Sequence, residues 1–140
     1  MRPFTHDIVL TEFDRCRLAG MLQLLRERSG IDAWNLDALE LELGRARVVP
    51  PERVPPSVVT MNSRVRLLDL DSGDQLSVSL VFPAARASNE SSVPVLSPLG
   101  LALLGCREGD VLEWQTQEGT RRLRVDVVIY QPEAEGDFFT

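Results

Sequence analysis

The sequence contains no lysine: all 15 of its basic residues are arginine. That absence excludes a Schiff-base lysine, a lysine general base and the lysine of a phosphate-binding loop. Histidine occurs once, at His6, in an N-terminal stretch expected to fray. A Ser-His-Asp triad or a histidine metal cluster would rest on that residue alone. Cys16 and Cys106 fit no Cys-x-x-Cys or zinc spacing and read as buried or free thiols of a reducing compartment. A Gly-x-Ser-x-Gly elbow, a Gly-x-Gly-x-x-Gly turn and a His-Glu-x-x-His helix are all missing. No basic stretch followed by an apolar run opens the chain, and no segment approaches the ~18 apolar residues that a bilayer span needs. These absences describe a cytoplasmic, non-enzymatic protein without metal, cofactor or membrane contact.

What is present suits a folded chain. Of 140 residues 44% are hydrophobic and 26% charged, enough to build a core. The net charge of -6 argues against strong independent nucleic-acid binding, which needs clustered cations. A protein is the expected partner.

Two textures divide the chain into residues 1–50 and 51–140. In the first, Thr11 to Asp14 has the form of a capping box, and Leu18, Met21, Leu22 and Leu25 follow at helical spacing. A helix is expected from Glu12 to about Arg28, stopped by Ser29-Gly30. After a short loop, Leu36, Leu39, Leu43 and Ala46 recur at heptad a and d positions. Two such helices make a short antiparallel hairpin, each about 20 Å long at 1.5 Å per residue, which should lean on whatever follows. The Pro-rich stretch from Val48 to Val59 cannot continue a helix and is expected to be an extended linker.

Beyond Val58 come short β-branched and aliphatic runs separated by "DLDSGDQ" and "TQEGT", which read as strands and hairpin turns. The segment Ser97 to Asp110, "SPLGLALLGCREGD", is the one helical candidate among them. Ser97 can cap it, Pro98 suits its first position, Gly105 suits the left-handed position after its end, and Leu99, Leu103 and Leu104 would face the sheet. The expected class is α+β: a helical hairpin, then a bent antiparallel sheet covered by one short helix.

Three features carry potential chemistry. At the hairpin tip, Asp32 and Asp37 could share a divalent cation, but they read more simply as a turn residue and a partner of the helix dipole. Trp34, between them, is expected to fold onto the apolar seam. Arg64, Arg66, Arg121, Arg122 and Arg124 alternate with apolar residues as on a solvated sheet face. The acidic tail "EAEGDFFT" either clips back onto the domain or meets a partner.

The stretch "SPLGLALLGCREGDVLEWQTQEG", Ser97 to Gly119, resembles the C-terminal domain of the bacterial Gre transcript-cleavage factors. That resemblance implies an FKBP-like fold. "VVTMNSRVRLLDLDSGD", "VFPAA" and "YQPEAEGDF" are similar to the Rnk family, the regulators of nucleoside diphosphate kinase, and with the short hairpin the similarity covers almost the whole chain. It implies a factor that binds RNA polymerase at the secondary-channel rim and competes with Gre-type factors without stimulating RNA cleavage. By the same resemblance Ser97, Pro98 and Leu99 are the candidate polymerase contacts, and Asp32, Trp34 and Asp37 form the candidate tip. The alternatives are a cleavage accessory factor using Asp32 and Asp37, a prolyl isomerase suggested by the fold alone, and a dimer formed through the hairpin seam or through Phe138 and Phe139.

Overall fold

The computed structural model describes residues 8–27, 33–82, 91–116 and 118–137. The first helix, α1, runs from Glu12 to Arg26 and starts where the side-chain oxygen of Thr11 accepts the N–H of Asp14 at 3.2 Å. It buries Leu18 and Leu22, with Met21 and Leu25 partly covered beside them. It stops two residues before the expected Arg28, where the N–H of Glu27 folds back onto the carbonyls of Leu24 and Leu25. The second helix, α2, spans Ala33–Arg45, and Leu36 and Leu39 of its heptad seam are buried. Arg26, at the end of α1, reaches Asp37 and Glu40 on α2, which closes the hairpin near its tip.

Strands β1 (Val9–Leu10) and β2 (Arg47–Val48) flank the two helices and pair with each other in parallel. The chain enters and leaves the hairpin side by side, held by Arg47 N–H to Ile8 C=O and Val49 N–H to Leu10 C=O, both 2.9 Å. The Pro-rich stretch departs from the extended form expected of it. Pro51–Arg53 makes a turn of 3-10 helix, and Val54, Val58 and Val59 are buried. Proline presets φ for such a turn, and burying three valines outweighs leaving the segment in solvent.

The remaining strands are β3 (Arg64–Asp69), β4 (Gln75–Val81), β5 (Ser92–Pro94), β6 (Val111–Thr116) and β7 (Gly119–Tyr130). Among the described residues they form a five-stranded sheet in the order β5-β4-β3-β7-β6. The β3–β4 and β6–β7 hairpins turn at Gly73 and Gly119, which have φ of +80° and +122°. One pairing departs from the antiparallel expectation: β5 runs parallel to β4. Strand β7 is long and shifts register twice against β3, irregularities that bend a sheet.

Helix α3 (Pro98–Leu103) covers the inner face. Leu99, Leu103 and Leu104 are buried as expected, and Leu101 joins them. They belong to one apolar cluster with Val65, Leu67, Leu123 and Val125 of the sheet and Leu18, Leu22, Leu36 and Leu39 of the hairpin. Two glycines permit this closeness. A Cβ on Gly100 would lie 2.0 Å from the carbonyl oxygen of Pro94, and one on Gly105, at φ +85°, would lie 2.4 Å from Cγ2 of Ile8.

These environments set opposite outcomes for one substitution. Gly100→Ala should destabilise the protein by roughly 1–3 kcal/mol or more, because backbone must move to admit the methyl. Gly20→Ala, on the open face of α1 with nothing within 4 Å, should stabilise it by about 0.5–1 kcal/mol. Thermal melts of the two variants against the parent check both signs.

Candidate functional site

Ser97 begins α3 by accepting the N–H of Gly100 at 3.0 Å and donating its own hydroxyl to the carbonyl of Pro94 at 2.7 Å. The backbone of Ser97 also donates to Pro94 C=O, so the turn before the helix is closed twice. Pro98 follows at the first helical position and is exposed, whereas Leu99 turns inward at 8% exposure. Of the three expected contact residues, one faces outward, one is half-buried with its hydroxyl engaged, and one anchors the turn from beneath.

The tip is arranged differently from expectation. Asp32 lies outside the described residues. Asp37 is not in the first turn of α2, because the helix starts at Ala33 rather than Leu36, and its carboxylate meets Arg26 of α1 at 2.7 Å. Its partner is a cation across the hairpin instead of the helix dipole. Trp34 is 60% exposed and therefore not folded onto the seam. It sits one heptad before exposed Leu41, which places both on the outer stripe of α2 while Leu36 and Leu39 fill the inner one. No group of three or more potential metal ligands occurs among the described residues.

A polar cluster that the sequence did not reveal joins the hairpin to the sheet. Asp14, 2% exposed, pairs with Arg17, whose guanidinium lies 4.3 Å and 4.6 Å from the ring centroids of Phe13 and Phe82. Beside them the hydroxyl of Thr60 donates to buried Glu133 at 2.7 Å and pairs with Ser63 at 3.0 Å. Gln131, also buried, donates to the carbonyls of Pro55 and Val58, both at 2.7 Å. The segment after β7 thus clips back through residue 137, where Asp137 accepts the Tyr130 hydroxyl and holds its pKa up to about 12. Phe138 and Phe139, like His6, lie outside the described residues. Cys16 is exposed and its thiol donates to Glu12 at 3.3 Å, whereas Cys106 is buried and its thiol donates to the carbonyl of Ala102 at 2.9 Å. Among the described residues no helix is long and apolar enough to cross a membrane.

The arginines of the sheet divide into two sets. Arg121 meets Asp69 at 2.6 Å, Arg122 meets Asp71 at 3.3 Å, and Arg124 meets Asp126 at 2.7 Å. Asp69 also accepts the N–H groups of Asp71 and Ser72, and with Arg121 these hold its carboxyl below the usual range. Among the described residues Arg64 donates only to the hydroxyl of Ser79, at 3.2 Å.

This geometry has close counterparts. Residues 54–130 match the family model described as transcription elongation factor, GreA/GreB, C-term, and residues 6–49 match the Rnk N-terminus. The chain is 44% identical over 103 residues to the regulator of nucleoside diphosphate kinase of Escherichia coli (strain K12), covering 73% of this chain and 76% of that protein. It is 37% identical over 109 residues to the transcription inhibitor protein Gfh1 of Thermus aquaticus, covering 76% and 68%. A solved structure of a prokaryotic transcription elongation factor GreA/GreB from Nitrosomonas europaea superimposes with a TM-score of 0.77 at 37% identity, covering 90% of this chain and all of that one. The curled sheet with its short helix is accordingly the GreA/GreB C-terminal fold, the mark of a class of transcription factors. With both of its segments matched in order, the chain belongs to the Rnk family within that class.

Burial pushes the carboxyls of Glu133 and Asp14 up, against the opposing pull of the Thr60 hydroxyl and of Arg17. The folded state holds these protons to higher pH than the unfolded chain does. Their stabilisation is complete below the ordinary carboxylate range and is lost as pH rises through the raised values. Glu133→Gln keeps an acceptor for Thr60 and removes the buried charge. Its melting temperature should exceed the parent's by a few degrees at neutral pH, with the difference closing below about pH 4; circular dichroism melts across pH measure it.

Proposed function

We propose that this protein is a non-enzymatic regulator of transcription that binds RNA polymerase at the rim of the secondary channel. There it competes with Gre-type factors and does not stimulate RNA cleavage. The observation that carries the reading is the short hairpin on a Gre-type C-terminal domain: α1 and α2 have 15 and 13 residues, about 20 Å each. A factor acting at the catalytic magnesium must carry free carboxylates down the length of the channel. Here the reach is short, and Asp37 is matched by Arg26.

Membership of a family whose relatives are named as regulators, elongation factors and a transcription inhibitor supports the same reading. Ser97, Pro98 and Leu99 supply the docking turn, with Pro98 as the exposed contact and Leu99 holding it from the core. The turn is rigid before any partner arrives, since Ser97 is bonded on both sides and proline fixes φ, so little ordering entropy opposes docking. Trp34 and the tip carboxylates would occupy the channel mouth.

Pro98→Ala should leave the melting temperature nearly unchanged and raise the Kd for core RNA polymerase about tenfold, a change of roughly 1.4 kcal/mol. Binding titrations with and without a saturating Gre factor test both the contact and the competition. The parent protein should be displaced by the competitor and should add no transcript cleavage to stalled complexes. Undisplaced binding would move the site away from the channel rim.

A further inference from the structure

Helix α3 and the apolar cluster lie on one face of the sheet; the other face carries the side chains that alternate with it. On β3, Val65, Leu67 and Asp69 are buried, so Arg64, Arg66 and Leu68 point the opposite way. Strand pairing extends each into a row. Arg64 lies between Ser79 and Tyr130, Arg66 between Ser77 and Val127, and Leu68 between Gln75 and Arg124, with Val111 beyond. The face is a patch of arginine, serine hydroxyls, a tyrosine and aliphatic residues, of which Val111 is 46% exposed.

Charge singles out the two central arginines. Arg121, Arg122 and Arg124 each have a carboxylate. Among the described residues Arg64 has only the hydroxyl of Ser79, and the Nε of Arg66 is covered with no hydrogen-bond acceptor. Among the described residues the two guanidiniums stand side by side on one strand face with no carboxylate against either, in a chain of net charge -6. Arg64 and Arg66 are both partly exposed, and a guanidinium that no carboxylate holds is free to form charge-assisted hydrogen bonds with one that arrives.

We propose that this open sheet face is a second docking surface, on which Arg64 and Arg66 receive a pair of carboxylates from an acidic protein segment. Resting on the reading of RNA polymerase as partner, it assigns that segment to the polymerase. The two arginines sit about 6.6 Å apart along the strand, the repeat of alternate side chains in an extended segment laid beside them. An open pleated surface meets a broad partner instead of enclosing a small anion. A nucleic-acid strand would drag further phosphates past Glu113 and Asp126 on β6 and β7, whereas a short acidic segment ends before them. Tyrosine and arginine among aliphatic neighbours form the composition found at the energetic centre of protein interfaces.

The test uses the full chain and core RNA polymerase, titrated at several salt concentrations. The variants are Arg64→Gln with Arg66→Gln, Arg64→Glu with Arg66→Glu, and Pro98→Ala. The glutamine pair should raise Kd about tenfold and flatten its salt dependence, and the glutamate pair should raise it further. If the glutamate pair lowers the melting temperature, the glutamine pair decides. Parental affinity in the glutamine pair, alongside weakened binding by Pro98→Ala, would overturn the second surface and leave polymerase docking standing. A parent protein that does not bind the polymerase would overturn both. Loss of binding to a single-stranded RNA oligonucleotide, with polymerase affinity unchanged, would make the face a nucleic-acid surface and overturn the assignment.

Discussion

The contact between Ile8 and Gly105 decides how the two parts of this molecule sit together. Ile8 is fully buried, and its side chain occupies the space where any residue other than glycine would place a Cβ. The same glycine ends the α3 region with a positive φ that other residues resist. One position thus serves the turn after α3 and the seat of the strand that leads into the hairpin. The β1–β2 pairing begins beside that seat, and one apolar cluster runs from Ile8 through Leu18 to Val125. A two-helix hairpin of this length gains its stability from packing on a larger body, and here that body is the sheet and α3.

The polar cluster at the foot of α1 adds direction to that packing. Apolar contacts tolerate sliding; Asp14, Arg17, Thr60 and Glu133 do not, because buried polar groups lose much of their stabilisation once their partners are misplaced. The tail after β7 belongs to this arrangement. Gln131 holds the carbonyls of the Pro-rich stretch while Glu133 holds Thr60. The Pro-rich segment is therefore fixed from outside itself, which its own composition does not announce.

Much of the fold was legible because local chemistry and tertiary structure agree. Thr11, Ser97, Pro98, Gly73, Gly105 and Gly119 stand where caps and turns need them, and the heptad leucines and alternating valines face the core. The differences share a cause: each turns on neighbours supplied by another element, which no local pattern names. Asp37 reads as a partner of its own helix dipole, but Arg26, eleven residues earlier, claims it. Trp34 reads as a seam residue, but Leu36 and Leu39 already fill the seam. The parallel β5 and the buried valines near the prolines depend on neighbours that no local pattern specifies. The candidate docking turn was readable through its motif, while the two arginines without counter-charges emerged only when strand register put the other three beside their carboxylates.

The parallel pairing of β1 with β2 has a geometric corollary for the whole hairpin. Because the chain goes out and returns through adjacent parallel strands, both feet of the hairpin are fixed at one place on the body, independent of how far the helices travel between them. Adding the same number of residues to α1 and α2 in whole heptads carries the tip outward by about 10 Å per heptad at 1.5 Å per residue, and leaves the base as it is. Reach is thereby a separable variable of this architecture: one anchored body can be fitted with a probe of any length, and the depth to which it enters a partner is set by counting helical turns.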